Sequence, residues 1–315
     1  MVKKLNYKEE ITKDFKGIAN SNRSVRLNFL SSVSKSTVYV SKYTGLVYHS
    51  PDLNSDESLN IWSKKIFSNK IDYRKLKYTS ENTIMKSRHY YCANFIKKNL
   101  KSKNLSFCDF GAGQGNFISE ICSINRDLKF FYTEHSKENI KKINKKFKNK
   151  LSKKINFYQG SIERSSKLSN FKNIKIGSLL WTLCNCVDPI SVLNSIHKVL
   201  SNNGLLLIAE SSRLMVPFKK PIENYFNRYH HTKNTHPWHF SINSLSNLLE
   251  LCGFRIIKSN RFYDENDLVV LAKKLPKKTK PIFKKDNFER VIKFFKKWIE
   301  LSNFLKKENF PNLSK

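Results

Sequence analysis

Apolar and polar positions divide the chain into four regions. Residues 1–84 are polar and irregular, apart from two short alternating runs at 37–41 and 45–49 that predict β-strands. From residue 84 to residue 100 the apolar positions recur at helical spacing. Residues 105–274 then alternate short apolar runs with amphipathic segments, which is typical of βαβ units. The pattern therefore predicts an α/β protein built around a parallel sheet.

Seven strands are predicted in that third region, at 105–110, 129–134, 154–158, 176–183, 204–210, 254–262 and 267–273. The helices predicted between them span 115–123, 137–148, 189–200 and 242–252. Pro189 suits the first turn of a helix, and Gly253 is a good helix terminator. Residues 211–240, which are rich in His, Tyr and Pro, are interpreted as an insertion after the fifth strand.

The fourth region begins at residue 276 with a Lys-rich linker and continues into a predicted amphipathic helix at 287–305. Apolar residues recur there at helical spacing with Lys on the other face. We expect this helix to pack on its own domain or on a second subunit, and binding to a membrane surface is the alternative. The predicted organisation is an N-terminal extension (1–84), a central domain (85–275) and this C-terminal part (276–315).

The net charge is strongly positive, because 59 Lys and Arg stand against 25 Asp and Glu, a formal charge of +34. Only 11 of the basic residues are Arg, and the 48 Lys are spread along the whole chain. Recognition of phosphates and bases favours Arg, whose planar guanidinium binds in bidentate fashion. The charge is therefore interpreted as a solvated, Lys-rich surface that suits an anionic small molecule, with nucleic acid as the alternative.

Targeting and redox signals are weak. The longest apolar stretches, 179–183 and 205–209, are too short to cross a bilayer, and the first ten residues lack the apolar core of a secretory signal. A cytoplasmic protein is expected. The six cysteines form no C-x-x-C pair, so we expect reduced thiols and no metal site.

The clearest motif is a glycine-rich loop. The predicted strand that ends in Asp109-Phe110 runs into Gly111-Ala112-Gly113-Gln114-Gly115 and then into a helix. Glycines at such a turn permit positive φ and let a ligand approach the backbone. The loop reads G-x-G-x-G rather than the dinucleotide pattern G-x-G-x-x-G, and an acid precedes it. A carboxylate there would repel a pyrophosphate and suits a ligand that carries an ammonium and a sulfonium group.

A second acid follows at the expected distance. Glu134 ends the next predicted strand, 19 residues after Gly115. An acid near this offset accepts hydrogen bonds from the ribose hydroxyls of a bound nucleotide. The strand–loop–helix context and the two acids together predict a cofactor site.

In these motifs the sequence resembles the class I S-adenosylmethionine-dependent methyltransferases. Residues 109–115 are similar to the first motif of that family, and Glu134 matches the acid of its second motif. The resemblance implies a Rossmann-like seven-stranded sheet whose last strand is antiparallel, with helices on both faces. It also implies S-adenosyl-L-methionine as the cofactor. The residues expected to bind it are Asp109, Gly111, Ala112, Gly113, Gly115, Glu134, Ser161, Trp181 and Thr182. Ser161 stands where an Asp often contacts the adenine, and Trp181 and Thr182 lie where cofactor and acceptor meet.

Two further segments are similar to small-molecule members of that family. Residues 183–210 resemble a stretch in which those relatives carry Glu-His, replaced here by Cys184-Asn185. Residues 236–254 resemble the sugar C-methyltransferase group. Residues 39–51 echo the end of the zinc-binding domain of such relatives, but no Cys occurs before Cys92. A zinc-less remnant is therefore expected in the N-terminal extension.

Catalytic side chains are expected in the insertion, because an imidazole titrates near neutral pH and can act as a general base. His239, His236 and Tyr229 are the candidates, and histidines without a chemical role are the alternative. The function predicted from the sequence is methyl transfer to a small molecule, with a sugar or nucleotide sugar as the favoured acceptor. An RNA methyltransferase and a catalytically inactive binding protein are the alternatives, and the oligomeric state, including a homodimer, is left open.

Overall fold

The computed structural model describes residues 6–30, 37–49, 57, 60, 80–102, 105–148, 151, 155–164, 168, 171–210, 222, 237–260 and 267–308. Tyr229, His236 and most of the predicted insertion lie outside these residues. Across the described part of the chain, no helix is both long enough and apolar enough to cross a membrane.

The main sheet has seven strands, in the spatial order β10-β11-β8-β7-β4-β5-β6. Their bounds are β4 Ser106–Phe110, β5 Lys129–Glu134, β6 Asn156–Gln159, β7 Ile174–Leu180, β8 Leu200–Glu210, β10 Phe254–Ser259 and β11 Leu268–Lys274. Strands β8, β7, β4, β5 and β6 run parallel, whereas β11 is antiparallel to both of its neighbours. The predicted seven-stranded sheet with an antiparallel last strand is confirmed.

Seven helices accompany the strands in the described residues: α1 Tyr7–Asp14, α2 Ser80–Ile96, α3 Asn116–Ile124, α4 Lys137–Phe147, α5 Pro189–Val199, α6 Ile242–Leu251 and α7 Phe288–Lys307. Apolar side chains from one face of the main sheet join α2, α3 and α4 in one core cluster. Those of the other face join α5, α6 and the N-terminal region in a second cluster. The main sheet therefore lies between two helical layers.

Local chemistry sets where the helices begin. The Ser136 side chain accepts a hydrogen bond from the N–H of Asn139 and caps α4. Asp188 caps α5 in the same way, with Pro189 in the first turn. At α6, Ser241 and Ser244 form a reciprocal capping box. These caps explain why the predicted helix starts agree closely with the structure.

Two predicted strand boundaries are wrong. The strand predicted at 204–210 begins at Leu200. The strand predicted at 176–183 ends at Leu180, and Leu183–Asn185 form a short 3₁₀ helix. The chain leaves the sheet at Trp181, whose φ of 50° is in the left-handed region. The apolar run continues through this turn, so the pattern of hydrophobic positions carried no sign of it.

A second, smaller sheet joins distant parts of the chain. It is antiparallel, in the order β1 (Ser24–Arg26), β2 (Val38–Ser41), β3 (Val47–His49) and β9 (Trp238–His239). Strands β2 and β3 were predicted, whereas β1 and β9 are too short to show a periodic pattern. The indole N–H of Trp238 donates to the carbonyl of Cys186, 2.7 Å away. The small sheet is therefore attached to the segment that follows β7.

The C-terminal helix covers the other face of the small sheet. Phe295 and Trp298 of α7 are buried in a cluster with Val38, Val40 and Val47. The apolar face predicted for this helix thus packs on its own chain.

A buried polar network holds α1 against the small sheet. Asp14 accepts hydrogen bonds from Ser41 Oγ at 2.7 Å and Thr44 Oγ1 at 2.6 Å, and it pairs with Arg23 at 3.0 Å. Arg23 also forms an ion pair with Glu10. Burial raises the pKa of Asp14 to about 6, against the hydrogen bonds from both hydroxyls. The hydroxyl of Ser41 also accepts hydrogen bonds from the N–H groups of residues 43 and 44, which closes the turn.

Replacing Asp14 with Ala is expected to lower the free energy of unfolding by about 3 kcal/mol, because Arg23 and two hydroxyls would stay buried without their common partner. Urea denaturation followed by circular dichroism measures the change. Glu9→Ala, which removes an exposed acid from the same helix, should leave the midpoint where it is. Equal midpoints for Asp14→Ala and the parent would contradict this role.

Candidate active site

The glycine loop leaves the carboxyl end of β4 and enters α3. Gly111, Gly113 and Gly115 have φ values of 77°, 54° and 71°, and Gly115 is the N-cap of α3. Residues with a β-carbon rarely adopt such angles, so this tight turn depends on glycine. The loop is anchored to β5, where Thr133 accepts from the N–H groups of Gly111 and Ala112.

The three glycines face different surroundings. A β-carbon on Gly111 would come within 2.9 Å of Thr182 Oγ1, and one on Gly115 within 3.0 Å of Ile143 Cγ1. A β-carbon on Gly113 would meet nothing within 4 Å. Gly111 and Gly115 therefore let the loop pack closely against the end of β7 and against α4. Gly113 borders open space, so a ligand can contact the backbone of the loop at this position.

Glu134, at the end of β5, is joined to the loop. Its Oε2 accepts a hydrogen bond from the N–H of Gly113 at 2.8 Å, and its Oε1 accepts from the N–H of Ser136 at 2.9 Å. Burial raises the pKa of Glu134, while these backbone N–H groups act in the opposite direction. The acid and the loop predicted from the sequence are thus in direct contact.

Asp109 is buried just before the loop, with 3% of its surface exposed. The hydroxyl of Ser178 on β7 donates to its Oδ1 at 2.7 Å. Burial raises the pKa of Asp109 to about 7; the Ser178 hydrogen bond opposes this and the nearby Glu134 adds to it. The side chain consequently changes its protonation state near neutral pH.

Ser161 lies next to Glu134, after the end of β6. The N–H of Gly160 donates to the backbone carbonyl of Glu134 at 3.1 Å, and Ser161 Oγ accepts from the N–H of Glu163 at 3.2 Å. Three consecutive strand ends, those of β4, β5 and β6, therefore bring the predicted adenine-side and ribose-side residues to one edge of the sheet.

Trp181 is fixed by a partner from the opposite side of the site. Its indole N–H donates to Asp267 Oδ1 at 2.9 Å, and Arg88 forms an ion pair with the same carboxylate. The Arg88 guanidinium lies over the indole ring, 5.1 Å from its centroid. The edge of the His89 ring also meets this indole. The strained residue after β7 is thereby held by helix α2 and by the start of β11.

Glu210 holds the residues that follow Trp181. This carboxylate, buried at the end of β8, accepts hydrogen bonds from the N–H groups of Leu183 at 2.8 Å and Cys184 at 3.3 Å. Burial raises the pKa of Glu210 to about 7. Because β8 pairs with β11 at Glu210 and Leu268, Glu210 and Asp267 come from neighbouring strand ends. Together they support the whole turn from Trp181 to Cys184.

His239 has a partner that the sequence did not suggest. Its Nε2 lies 2.9 Å from Nε2 of His49, and both rings are buried. His239 pairs with Val47 across the small sheet, so it shares the face on which Val47 meets Phe295 and Trp298. Trp238, on the opposite face, is the residue that contacts the segment after β7. The other catalytic candidates, His236 and Tyr229, lie outside the described residues.

Sequence reasoning missed the supporting residues Glu210, Asp267 and His49. Each ends or begins a strand, and the only available signal was a polar residue at that boundary. Which boundary residues meet depends on the strand order, and that order is not evident from any single segment.

A family model described as a methyltransferase domain matches residues 85–259, more than half of the chain. No curated protein matches the sequence.

Solved structures share the fold at low sequence identity. The chain is similar to 1,6-didemethyltoxoflavin-N1-methyltransferase from Burkholderia thailandensis, solved with 1,6-didemethyltoxoflavin and S-adenosylhomocysteine. The TM-score is 0.52 at 13% identity, over 73% of this chain and 96% of that one. Magnesium protoporphyrin IX methyltransferase from Synechocystis PCC 6803, solved with SAH, gives a TM-score of 0.53 at 10% identity, over 68% and 99% of the chains. A candidate O-methyltransferase from Nostoc punctiforme PCC 73102 gives 0.50 at 13% identity, over 62% of this chain and 58% of its own length.

The raised pKa of Asp109 predicts a specific effect of pH on stability. The folded state holds the proton of this carboxyl more tightly than the unfolded chain, so its stabilising contribution is full below about pH 4 and is lost as pH rises through about 7. Asp109→Asn, which mimics the protonated form, should reduce the fall in unfolding free energy across that window by up to ~1.4 kcal/mol per pH unit. Urea titrations at several pH values measure this, with the exposed Asp127→Asn as control. Parallel pH profiles for Asp109→Asn and the parent would contradict it.

Asp267 is expected to set the position of the Trp181 ring. Asp267→Ala should release the indole and lower the free energy of unfolding by about 1–3 kcal/mol, since Arg88 would also lose a charged partner. In protein labelled with 5-fluorotryptophan, the Trp181 ¹⁹F resonance, assigned with Trp181→Phe, should shift towards the value of an exposed indole. The Trp238 resonance should stay in place, because that side chain bonds to Cys186. An unmoved Trp181 resonance would show that Asp267 does not hold the ring.

Proposed function

We propose that this chain, which belongs to the class I S-adenosylmethionine-dependent methyltransferases, transfers a methyl group from S-adenosylmethionine to an anionic small molecule. The observation that carries this proposal is the contact between Glu134 and the N–H of Gly113. It places a half-buried strand-end carboxylate beside the one loop glycine that borders open space. The arrangement offers a carboxylate and bare backbone to a single ligand.

The residues of this edge fit the parts of that cofactor. Glu134 would hold the ribose hydroxyls, and Ser161, at the next strand end, would lie on the adenine side. Gly111, Ala112, Gly113 and Gly115 would line the methionine part, with Asp109 near its ammonium group. The nearby Glu134 already raises the pKa of Asp109, and a cationic ligand would act in the opposite direction.

S-adenosylmethionine supplies a methyl group on a positively charged sulfur, which is displaced in line by the acceptor. The task left to this chain is therefore to align the acceptor and to exclude water. Trp181 and Thr182 are proposed as the wall between cofactor and acceptor. Support for this comes from the fixed turn at Trp181, held by Asp267, Arg88 and Glu210. Because three residues hold this turn, Trp181 and Thr182 should keep their positions when the acceptor binds.

A sugar or a nucleotide sugar is the acceptor that we favour. The resemblance of residues 236–254 to the sugar C-methyltransferase group supports it, and so does the net charge of +34, which would attract a diphosphate group. We also propose that the protein acts in the cytoplasm, either as a monomer or as a homodimer.

If the acceptor must lose a proton, His239 is the proposed base, with His236 and Tyr229 as further candidates. His239 and His49 both lie on the face of the small sheet that packs against α7, and one Nε2 donates to the other. The assignment is therefore supported by the imidazole chemistry of His239 and not by its contact with His49.

RNA is the competing acceptor, and the positive net charge is the observation that favours it. The two acceptors differ in their salt response. Binding to RNA releases counterions from the phosphates, so its affinity falls steeply as the salt concentration rises. Transfer of labelled methyl groups to nucleotide sugars and to total RNA, each at low and high salt, separates them.

Cofactor binding gives the direct test of the proposal. Calorimetric titration should show binding of S-adenosylhomocysteine by the parent. Glu134→Ala should weaken that binding about tenfold to a hundredfold, because it removes a charged acceptor. Gly113→Arg should abolish it by filling the open space beside the loop. Glu138→Ala, an exposed acid in the first turn of α4, is the matched control and should bind like the parent. Absence of binding at millimolar ligand by folded parent protein would sink the proposal.

A further inference from the structure

The Lys-rich segment before α7 is an ordered part of the fold. We call residues 276–286, Pro-Lys-Lys-Thr-Lys-Pro-Ile-Phe-Lys-Lys-Asp, the basic strap. The strap follows β11 and lies along α6. Its five lysines are all exposed, at positions 277, 278, 280, 284 and 285.

Side chains of α6 fix the backbone of the strap. Asn247 forms two hydrogen bonds with the backbone of Lys284, both 2.7 Å long, one to its carbonyl and one from its N–H. Glu250 accepts from the N–H of Ile282 at 3.0 Å. These hydrogen bonds attach the strap to one face of α6, although the strap itself has no regular secondary structure. The hydrogen bonds to α6 thus set the backbone positions of the strap lysines.

The side chains of the strap sort by chemistry. Phe283 turns inward and packs against the main core, whereas Ile282 is 56% exposed among the lysines. Asp286, the one acid of the strap, accepts hydrogen bonds from Ser241 at 2.7 Å and Asn243 at 2.9 Å. The outward surface of the strap therefore carries five positive charges and one large apolar side chain, Ile282, while Asp286 is turned to α6.

We propose that the basic strap docks on an anionic lipid surface. Lysines attract the negative headgroups as mobile point charges, each worth about fivefold in binding near the surface. Ile282 projects from the same segment and would enter the interface between headgroups and acyl chains. Recognition of a nucleic acid would instead favour arginine and exposed aromatic rings, and the strap has no arginine and an inward-facing Phe283.

This mode of docking differs from insertion of an amphipathic helix. The apolar face of α7 is occupied by the small sheet, so the described side chains of that helix leave no free apolar stripe to insert. The strap instead offers a row of lysines along α6, which begins with a turn where the N–H of Thr279 donates to the carbonyl of Pro276. Binding of this kind is electrostatic and must weaken with salt.

The test is co-sedimentation of the full chain with vesicles. Phosphatidylcholine vesicles with 30% phosphatidylglycerol should bind the protein at low salt, while pure phosphatidylcholine vesicles should not, and 0.5 M NaCl should release it. Reversing three strap charges (Lys278→Glu, Lys284→Glu, Lys285→Glu) should weaken partitioning by at least about two orders of magnitude, since loss of the three positive charges alone accounts for about a hundredfold.

Two matched controls separate the strap from general charge. Reversing three exposed lysines of α4 and its end (Lys141→Glu, Lys145→Glu, Lys148→Glu) changes the net charge equally and should alter partitioning less than about fivefold. Ile282→Asn should weaken binding severalfold, whereas Ile257→Asn, at an exposed position on β10, should not.

Three results would overturn the proposal. They are no binding to anionic vesicles by folded protein, equal losses for the strap and α4 variants, or loss in the strap variant of binding to a homopolymeric RNA with vesicle binding unchanged. None of these readouts involves methyl transfer or cofactor binding, so failure here leaves the proposed enzymatic function untouched.

Discussion

The site depends on one hydrogen bond, from the N–H of Gly113 to the carboxylate of Glu134. It joins the loop after β4 to the end of β5, and it is made by a carboxylate that is largely out of water. Such a group is stable only with donors around it, and here the donors are backbone N–H groups of the loop and of α4's start. The loop geometry and the acid therefore require each other. At neighbouring strand ends, Asp109 accepts a hydrogen bond from Ser178, and Glu210 accepts one from an N–H group of the turn after β7. Hydrogen-bond donors thus stabilise these two carboxylates as well.

The described part of the N-terminal extension lies on the face of the main sheet opposite to α3 and α4. The N-terminal extension supplies three strands of the small sheet, and residues 238–239 supply the fourth. Helix α7 then closes the outer face of that sheet. Because Trp238 bonds to Cys186, this assembly is attached to the turn that bears Trp181 and Thr182. The N-terminal extension is thus part of the structure that surrounds the proposed acceptor side.

Much of the main sheet could be predicted, because short apolar runs alternate with amphipathic helices, most of them capped. The glycine loop and Glu134 were also visible, since positive φ and a strand-end acid leave a local signature. Other features leave none. The turn at Trp181 lies inside an apolar run, and β9 has only two residues. The partners Asp267, Glu210 and His49 are defined by which strands become neighbours, and a segment-by-segment analysis does not contain that information. The lysines of the basic strap were visible as composition, but their ordering by Asn247 and Glu250 depends on α6 lying alongside.

The central claim is that S-adenosylmethionine is held at the edge formed by the glycine loop and the end of β5. Hydrogen–deuterium exchange with and without S-adenosylhomocysteine tests it most directly, because it reports where along the chain the backbone is protected. The account predicts slower exchange in peptides covering 109–116 and 133–136, with β10 and α7 unchanged. Binding accompanied by protection elsewhere, with these two segments unaffected, would contradict it.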